Sequence, residues 1–341
     1  MPAAAGGQPF AELSPDAVLD AAESVGIDCD GRLFALNSYE NRVYQIGLAG
    51  RGYVVFKFYR PARWSDAQIL EEHGFAAELA AADLPVVAPL ALHAAPAATG
   101  TQLVGDTLAH RGSARFAAFP HRQARPCEPD ANGVLELIGR TLGRIHACGA
   151  TRRFATRPAL TAERLGWQAR EALLRSPLLD ESLAARYSEV SQRLLEEVEA
   201  ALERFGPWAA IRIHGDCHLG NVLWDERGPV FVDLDDCSMG PRIQDLWMFL
   251  SGSDDERRGQ WAQLMRGYRQ FAAFDDAELA LVEPLRTLRM VHHSAWIAAR
   301  WEDPAFPRAF PWFTSPRYWQ EHVSDLWQQL EALERPPLDP G

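Results

Sequence analysis

The chain has 341 residues, of which 47% are hydrophobic and 23% are charged, and its formal net charge is −12. This length allows two domains, each with its own hydrophobic core, and the composition is that of an ordinary soluble globular protein. The acidic balance disfavours binding to nucleic-acid phosphates or to anionic membranes, so we expect neither as a partner.

The N-terminal segment MPAAAGGQPF has neither a basic stretch nor a continuous apolar run, so we predict no secretory signal peptide. The most apolar stretch, LPVVAPLALHAAPAATG, is interrupted by prolines and is too short to span a bilayer. The cysteines form no CxxC pair, which indicates a reducing compartment with neither structural disulfides nor zinc. We therefore expect a cytoplasmic protein.

The first third of the sequence combines helical and extended patterns. LSPDAVLDAAESVG predicts a short helix with Ser14 as its N-cap and Pro15 at its first position. Two strand-like runs follow, RLFALNSYENRVYQIG and GYVVFKFYRP, and then a helical pattern over SDAQILEEHGFAAELAAAD. Strand character returns in TQLVGDTLAH and RFAAFP. We predict an N-terminal domain, residues 1–118, with an antiparallel sheet and one inserted helix.

The rest of the chain is mostly helical in pattern. Apolar residues recur at helical spacing in NGVLELIGRTLGRIHACGA, DESLAARYSEVSQRLLEEVEAALERFG and DDERRGQWAQLMRGYRQFAAF. A further segment, DAELALVEPLRTLRMVHHSAWIAARW, is more apolar and is predicted to be a more buried helix. Two short strand-like runs, NVLW and PVFVDLDD, lie between these helices. We predict a larger helical domain, residues 119–341, and an α+β fold class.

Lys57, in the apolar run YVVFKF, is the only lysine among the 34 lysines and arginines of the chain. An ammonium group is a compact point charge, whereas a guanidinium group is a broad planar fork. A buried site that requires a point charge would therefore keep its lysine in a sequence that otherwise uses arginine. Chance retention is the alternative interpretation.

A second candidate site lies in HGDCHLGN, which starts at His214, and in VFVDLDD, which ends at Asp236. Phosphoryl transfer requires a carboxylate that orients and deprotonates the attacking hydroxyl, and oxygen ligands that hold Mg²⁺ against the phosphates. Asp216 and Asn221 have the D-x-x-x-x-N spacing of the protein-kinase catalytic loop. The strand-turn-strand pattern that follows would return Asp233 to the same place.

HGDCHLGN together with FVDLDD resembles the aminoglycoside phosphotransferase and choline kinase branch of the protein-kinase-like fold. Within that branch, the ordered segments LNSYENRVYQ, FKFYRP, RWSDAQILEEH, HGDCHLGNVLW, DLWMFL and WEDPAFP are similar to the bacterial stress response kinase A (RdoA) family. The resemblance extends from about residue 12 to residue 337. It implies a bilobal fold, with a small β-rich N-terminal lobe and a larger, mostly helical C-terminal lobe that carries the catalytic loop and the metal site.

The resemblance also implies a role for each acidic residue of the motif. Asp216 would be the catalytic base, and Asn221 and Asp233 would bind Mg²⁺, so that Asp233 also takes part in catalysis. Asp235 would be an additional metal ligand, or it would instead satisfy backbone amides in a turn. Asp245, in QDLWMF, would tie the catalytic loop down from a helix.

For the nucleotide, the resemblance points to residues of the N-terminal part. Lys57 would contact the α- and β-phosphates of ATP and pair with a glutamate of the following helix. Glu72 is the first choice and Glu71 the alternative, because adjacent helical positions point about 100° apart and only one can face the cleft. The backbone of Ala118 to Pro120, Phe119 included, would meet the adenine edge at the connection between the lobes. Alternatively, this stretch is an ordinary strand end.

The sequence departs from the protein-kinase pattern at three points. LNSYEN stands where a glycine-rich loop would cover the phosphates, and the resemblance implies that Ser38 contacts ATP there. Alternatively, Ser38 only shapes a turn. The catalytic loop has no arginine before Asp216, and neither DFG nor APE is present, so we predict no activation-loop phosphorylation switch. Helices after residue 250 must then build the acceptor site.

The leading hypothesis is a kinase that uses ATP and Mg²⁺ to phosphorylate serine or threonine of an unidentified protein acceptor. The first alternative is a small-molecule kinase acting on an amino alcohol, a sugar or an aminoglycoside, which a deep acidic pocket in the helical lobe would favour. A pseudokinase that signals by contact alone is disfavoured, because the candidate base, lysine and metal ligands are all present. We expect a monomer, since the sequence has no heptad pattern.

Overall fold

A computed structural model describes residues 9–96, 99–129 and 131–340. The N-terminal segment in which we predict no signal peptide lies outside this part, except for its last two residues. The strands are β1 (Cys29–Leu36), β2 (Arg42–Leu48), β3 (Tyr53–Phe58), β4 (Thr101–Val104), β5 (Leu108–Arg111), β6 (Ala114–Pro120), β7 (Arg125–Pro126), β8 (Ile211–Ile213), β9 (Val222–Asp225), β10 (Gly228–Phe231) and β11 (Ser238–Gly240).

The helices include several short non-α turns beside the α-helices. The α-helices are α1 (Pro15–Ser24), α2 (Asp66–Ala81), α3 (Val134–Gly149), α4 (Gln168–Leu174), α5 (Glu181–Phe205), α6 (Asp254–Tyr268), α7 (Val282–Ala298), α8 (Ala305–Ala309) and α9 (Pro316–Leu333). A π-helical turn spans Glu163–Trp167, and 3₁₀ turns span Leu219–Asn221, Leu234–Asp236, Arg242–Asp245, Trp247–Phe249 and Asp276–Leu281. No helix in the described ranges is both long and apolar enough to cross a membrane.

The chain separates into two compact units. The first unit consists of Met1–Cys127, Phe154–Arg157 and Gly220–Asp236, and the second consists of Glu128–Arg153, Pro158–Leu219 and Cys237–Gly341. This division places in the first unit three segments that the sequence analysis assigned to the C-terminal domain: 119–127, 154–157 and, later in the chain, 220–236. The physical reason for the later segment is strand pairing, because β9 pairs with both β10 and β7.

The first unit is built on a six-stranded antiparallel sheet in the order β1-β2-β3-β6-β5-β4. Side chains alternate between the two faces of the sheet along β3, so that Val54, Phe56 and Phe58 point into one core. This core also contains residues of α1. The predicted cap of α1 is confirmed, since the Ser14 hydroxyl accepts a hydrogen bond from the Ala17 N–H at 3.2 Å.

The inserted helix α2 begins with a capping box in which Ser65 and Gln68 satisfy each other's backbone N–H groups. Its apolar positions Ile69 and Leu79 are fully buried, as the helical pattern predicts. Glu72, in the same helix, is also buried, which is unusual for a carboxylate unless it has a partner.

The second unit is mainly helical, and α5, α7 and α9 share a hydrophobic core centred on Leu194, Val291 and Trp319. Helices α3 and α6 pack so closely that a Cβ on Gly139 would lie 2.0 Å from the Leu264 carbonyl oxygen. The segment predicted as one long apolar helix is instead a 3₁₀ turn followed by α7, which has Pro284 in its first turn, where proline is tolerated.

Candidate active site

Lys57 lies on β3, in a row of residues that face each other across neighbouring strands. Leu36 lies opposite Val43, Val43 opposite Lys57, and Lys57 opposite Ala117. Directly opposite residues of antiparallel strands point to the same face of the sheet. Since the neighbours of Lys57 along β3 point into the core, Lys57 is on the other face.

Three carboxylates surround the ammonium group of Lys57. Its Nζ lies 2.9 Å from Oδ1 of Asp233, 3.0 Å from Oδ1 of Asp235 and 3.8 Å from Oε1 of Glu72. Burial alone would lower the pKa of Lys57, but attraction to these carboxylates prevails and raises its pKa well above the ordinary value. Lys57 is therefore a fixed positive charge.

The two candidate glutamates of α2 have different partners. Glu72 contacts Lys57, and burial raises the pKa of Glu72 to about 7 although Lys57 opposes this. Glu71 instead accepts hydrogen bonds from the backbone N–H groups of Thr156 and Arg157, at 2.8 and 2.7 Å. Glu71 thus holds the segment Phe154–Arg157, which explains why this segment belongs to the first unit.

Asp233 follows β10 and has a backbone φ of +59°, in the left-handed region that residues other than glycine rarely adopt. Hydrogen bonds of the two preceding residues fix its position. The Val232 N–H donates to the Asn221 carbonyl at 3.1 Å, and the Phe231 N–H donates to the Pro85 carbonyl at 2.8 Å. The Asp233 side chain is 50% exposed. This carboxylate is therefore both constrained and accessible.

Asp235, in contrast, is almost completely buried and lies within a group of cations. The Arg63 guanidinium donates to its Oδ2, and the Asn41 amide donates to the same oxygen at 3.3 Å. Arg157 donates to the Asp235 carbonyl. Burial raises the pKa of Asp235, but the opposite effect of Lys57, Arg63 and Arg157 is larger. The pKa of Asp235 is therefore well below the usual range.

The bend between β1 and β2, which contains the partly buried Ser38, is held by an arginine. The Arg60 Nε donates to the Glu40 carbonyl at 2.9 Å, and the Arg60 backbone N–H donates to the Asn41 side-chain oxygen at 3.0 Å. The side chain and the backbone N–H of Arg60 therefore fix the shape of this loop, which has no glycine. The sequence reasoning did not single out Arg60, because nothing distinguishes it locally from the other arginines.

The residues predicted at the adenine edge lie on β6, where Ala118 and Phe119 are neighbours. Ala118 faces Phe56 and is buried in the core, and its carbonyl accepts a hydrogen bond from the Leu90 N–H at 2.7 Å. Phe119 lies opposite Val55 and is partly buried, on the same sheet face as Lys57. Of the two side chains, only that of Phe119 belongs to the face that carries Lys57.

In the second unit, the loop that contains Asp216 follows strand β8 and is anchored by Asp245. The Asp245 carboxylate accepts hydrogen bonds from the His214 and Gly215 N–H groups, at 2.7 and 2.8 Å, and lies 3.1 Å from Nε2 of His146. Asp245 is fully buried in a 3₁₀ turn. The predicted tie on the loop is thus confirmed.

The Asp216 carboxylate, which is 28% exposed, has a basic partner at each oxygen. Nη1 of Arg289, on α7, donates to Oδ1 at 2.5 Å, and Nε2 of His218 lies 3.4 Å from Oδ2. Partial burial raises the pKa of Asp216, but His218 and Arg289 outweigh it and hold the pKa well below the usual range. The sequence reasoning missed Arg289, which is distant along the chain.

The donor chemistry fits the magnesium ion that the kinase motif implies. Asn221 offers an amide oxygen and Asp233 an accessible carboxylate, and Mg²⁺ prefers such hard oxygen ligands in small number. Both aspartates contact Lys57, but Asp235 fits less well, because its carboxylate is almost completely buried and also pairs with Arg63. Nowhere in the described ranges, this site included, do three histidine, cysteine, aspartate or glutamate side chains form a metal-binding group.

Comparison with known proteins gives consistent matches along the chain. Residues 33–282 match the model of the phosphotransferase enzyme family. Stress response kinase A of Escherichia coli (strain K12) is 41% identical over 329 residues, and the serine/threonine protein kinase RdoA of Salmonella typhimurium is 42% identical over 330 residues. Each alignment covers 96% of both sequences.

Solved structures resemble the chain in fold. An amicoumacin kinase in complex with AMP-PNP, Ca²⁺ and Ami has a TM-score of 0.71 at 18% identity, covering 95% of both chains. A microcompartment-associated aminopropanol kinase has a TM-score of 0.66 at 18% identity, covering 94% of this chain and 97% of its own. At this identity the likeness concerns the fold alone. It confirms the predicted α+β, protein-kinase-like fold class.

Proposed function

The chain belongs to the stress response kinase A family, within the phosphotransferase enzyme family, and from this premise we propose that it transfers the γ-phosphoryl group of ATP to serine or threonine of a protein. The observation that carries the proposal is the position of Lys57, which three carboxylates of the first unit hold as a buried, permanently charged group. A fixed ammonium group in a sheet is the means by which kinases position the phosphates of ATP.

Lys57 would bind the α- and β-phosphates through its compact charge. Glu72 keeps the ammonium oriented, because both side chains are buried and the ion pair limits the rotamers that Lys57 can adopt. The bend that contains Ser38 would cover the phosphates, with Arg60 fixing its backbone. Asp235 would hold the cations around the phosphate site in place, as its contacts with Arg63 indicate.

The face of the sheet that carries Lys57 suits a purine ring. Leu36 is 39% exposed, and Val43, Val55 and Phe119 on the same face are partly buried. Nucleotide and cofactor sites are lined mainly by such apolar side chains with a few polar groups for orientation. The backbone next to Phe119 would supply the polar contacts to the adenine edge.

Asn221 and Asp233 would hold Mg²⁺. When bound, the ion neutralises the charge of the phosphates and of the departing group. Asp233 supplies an accessible carboxylate at a fixed backbone position, which is a requirement for such a ligand.

Asp216 would orient the acceptor hydroxyl and accept its proton. The bond from the acceptor oxygen to the γ-phosphorus forms while the bond from that phosphorus to the β–γ bridging oxygen breaks, so the leaving group is ADP. Arg289 and His218 favour the ionised form of Asp216, which is the form that can accept a hydrogen bond from the hydroxyl.

A protein acceptor is supported by the relative named as a serine/threonine protein kinase, which is 42% identical over nearly the whole chain. The solved structures named for small-molecule acceptors are at most 18% identical to this chain, and they support only the fold. A small-molecule kinase therefore remains the second candidate.

The test is transfer of labelled γ-phosphate from ATP to the host's cytosolic proteins and to a panel of amino alcohols, sugars and aminoglycosides. Asp216→Asn serves as the blank, because it keeps the size of the side chain but cannot accept the proton. We expect label on serine or threonine of proteins with the wild type and none with Asp216→Asn. Label on metabolites alone would favour the second candidate, and equal activity of both forms would remove Asp216 from its role.

A further inference from the structure

Helix α7 contains two arginines and a single acidic residue, Glu283, in an otherwise acidic chain. Residues 284–301 contain no aspartate or glutamate, although the chain has 46 acidic residues and a net charge of −12. The ionisable side chains in this stretch are Arg286, Arg289, His292, His293 and Arg300. Positive charge next to a candidate active-site residue attracts an anionic ligand.

Four of the residues in and just after α7 form a stripe on one side of the helix, which we call the α7 stripe: Arg289, His293, Trp296 and Arg300. Arg289, His293 and Trp296 follow each other at intervals of four and three positions, which places them on one face of α7. Arg300 lies two residues beyond the end of α7, where its Nη1 donates to the Trp296 carbonyl at 3.2 Å. The His293 ring stacks on Trp296 at a centroid distance of 5.7 Å, and the Arg300 guanidinium lies 5.3 Å from the Trp296 centroid. The stripe is therefore continuous, with an arginine at each end.

Arg289 links the α7 stripe to the candidate base. Its Nη1 donates to Asp216, and its side chain is 42% exposed. A guanidinium group has five N–H donors, so this ion pair leaves most of them available. Within the described part of the chain, Asp216 is the polar partner of this guanidinium. Arg289 can thus hold Asp216 and bind a second anion beside the acceptor hydroxyl at the same time.

We propose that the α7 stripe selects protein acceptors in which acidic residues flank the phosphorylated serine or threonine. The proposal rests on the proposed function, because it takes Asp216 as the base. Arg289 would bind a carboxylate next to the acceptor residue, and Arg300 a second one farther along. At ~1.5 Å per helical residue, the stripe is about 16 Å long. That is the length of about five residues of extended peptide, and it is greater than the length of an amino alcohol.

The same geometry disfavours the cationic acceptors for which some related folds are named. An ammonium group bound beside Asp216 would lie against the Arg289 guanidinium and be repelled by it. An acidic segment has the opposite sign and would be attracted to both ends of the stripe. The charge of the acceptor is therefore the property that distinguishes the two classes.

The test uses three peptides that share one central serine and differ only in its flanking residues, which are glutamate, alanine or lysine. We measure kcat and KM for each peptide with the wild type, Arg289→Gln, Arg289→Lys and Arg286→Gln. Arg286→Gln is the matched control, because it removes one positive charge from the same helix but its guanidinium pairs with Glu283. Asp216→Asn with the glutamate peptide tests the proposed function separately.

For the wild type we expect kcat/KM to be about tenfold higher with the glutamate peptide than with the alanine peptide, as for a hydrogen bond between charged groups. The lysine peptide should be the poorest. Arg289→Gln should abolish the difference between the glutamate and alanine peptides, mainly through KM, whereas Arg289→Lys and Arg286→Gln should retain it. The ratio between peptides is the diagnostic quantity, because a purely structural role of Arg289 would lower all three rates equally.

Equal rates on the three peptides, a preference for lysine, or an unchanged preference in Arg289→Gln would overturn the inference. Failure of the wild type to phosphorylate any of the peptides would contradict it as well. If Asp216→Asn is inactive and the charge preference is missing, the inference alone fails. If Asp216→Asn is as active as the wild type, Asp216 is not the base, and the part of the proposed function on which the inference rests fails.

Discussion

The Lys57 ammonium nitrogen lies 3.0 Å from Oδ1 of Asp235, and both side chains are almost fully removed from solvent. Two opposite charges at this distance and depth stabilise each other only if neither is lost, because an unpaired buried charge is strongly unfavourable. The pair therefore links the stability of the first unit to the group that we propose to bind ATP. Several expected outcomes depend on this link and on its neighbours.

Lys57→Arg should keep the fold and lose most of the turnover, by about 100-fold in kcat. A guanidinium group keeps the charge but is too broad for the space between Glu72, Asp233 and Asp235. Labelled γ-phosphate transfer gives the rate, and circular dichroism verifies the fold. Turnover equal to that of the wild type would show that the position needs only positive charge.

Asp235→Asn should lower the free energy of unfolding by about 3–5 kcal/mol, because it leaves Lys57 and Arg63 without their buried carboxylate. Asp236→Asn is the matched control, since Asp236 also pairs with Arg63 but is 44% exposed. Asp236→Asn should lower the free energy of unfolding by about 1 kcal/mol or less. Urea denaturation without Mg²⁺ measures both variants, and equal effects would mean that Asp235 does not anchor the cations.

Glu71→Gln and Glu72→Gln should separate stability from turnover. Glu71→Gln weakens the hydrogen bonds to Thr156 and Arg157 and should lower the free energy of unfolding by about 1–2 kcal/mol. Glu72→Gln should instead lower kcat by about tenfold or more, because Lys57 loses an orienting partner. Denaturation curves and transfer rates of both variants check this, and the reverse assignment would contradict the contacts of α2.

The pH profile of kcat/KM should depend on Arg289. In the wild type, His218 and Arg289 hold the pKa of Asp216 below its ordinary value of about 3.9, so Asp216 stays ionised throughout an assay between about pH 5 and pH 9. Arg289→Gln removes one of the groups that lower the pKa while the burial that raises it remains. Protonation of Asp216 should therefore begin at higher pH in Arg289→Gln, so that kcat/KM of the variant falls towards acid pH sooner than that of the wild type. Identical profiles would show that Arg289 does not act on the ionisation of Asp216.

Gly139→Ala should destabilise the second unit by about 1–3 kcal/mol, because the added methyl group would lie 2.0 Å from the Leu264 carbonyl oxygen. Gly259→Ala is the matched control in α6, where the new Cβ would meet no atom within 4 Å. Gly259→Ala should raise the free energy of unfolding by about 0.5–1 kcal/mol, because alanine has a higher helix propensity than glycine. Urea denaturation distinguishes the two, and similar effects would contradict the close packing of α3 on α6.

Local patterns and the family resemblance together were enough for the strand-forming stretches of the sheet, for the cap by Ser14 and for the tie by Asp245. They did not show that TQLVGDTLAH contains two strands, β4 and β5. They did limit the partner of Lys57 to Glu71 or Glu72, and the ion pair in the structure is with Glu72. These features depend on spacing within a few turns or on a motif with fixed intervals, which a sequence displays directly.

The contacts of Asp235 and Asp216 could not be predicted in this way. Arg63 and Arg157 reach Asp235 only through the folded chain, and Arg289 reaches Asp216 from a distant helix. In a sequence that uses arginine for all but one of its basic side chains, no local feature separates these three from arginines at the surface. The absence of acidic residues from 284 to 301 was the one available signal for Arg289.

The lone lysine of the chain also has a practical consequence. Apart from the α-amino group, an acylating reagent has a single amine to modify. That amine belongs to Lys57 on β3 and is shielded by the carboxylates of Asp233 and Asp235. Mass spectrometry of one peptide would then report how often this amine is open to reagent, and nucleotide that occupies the same place would slow its labelling.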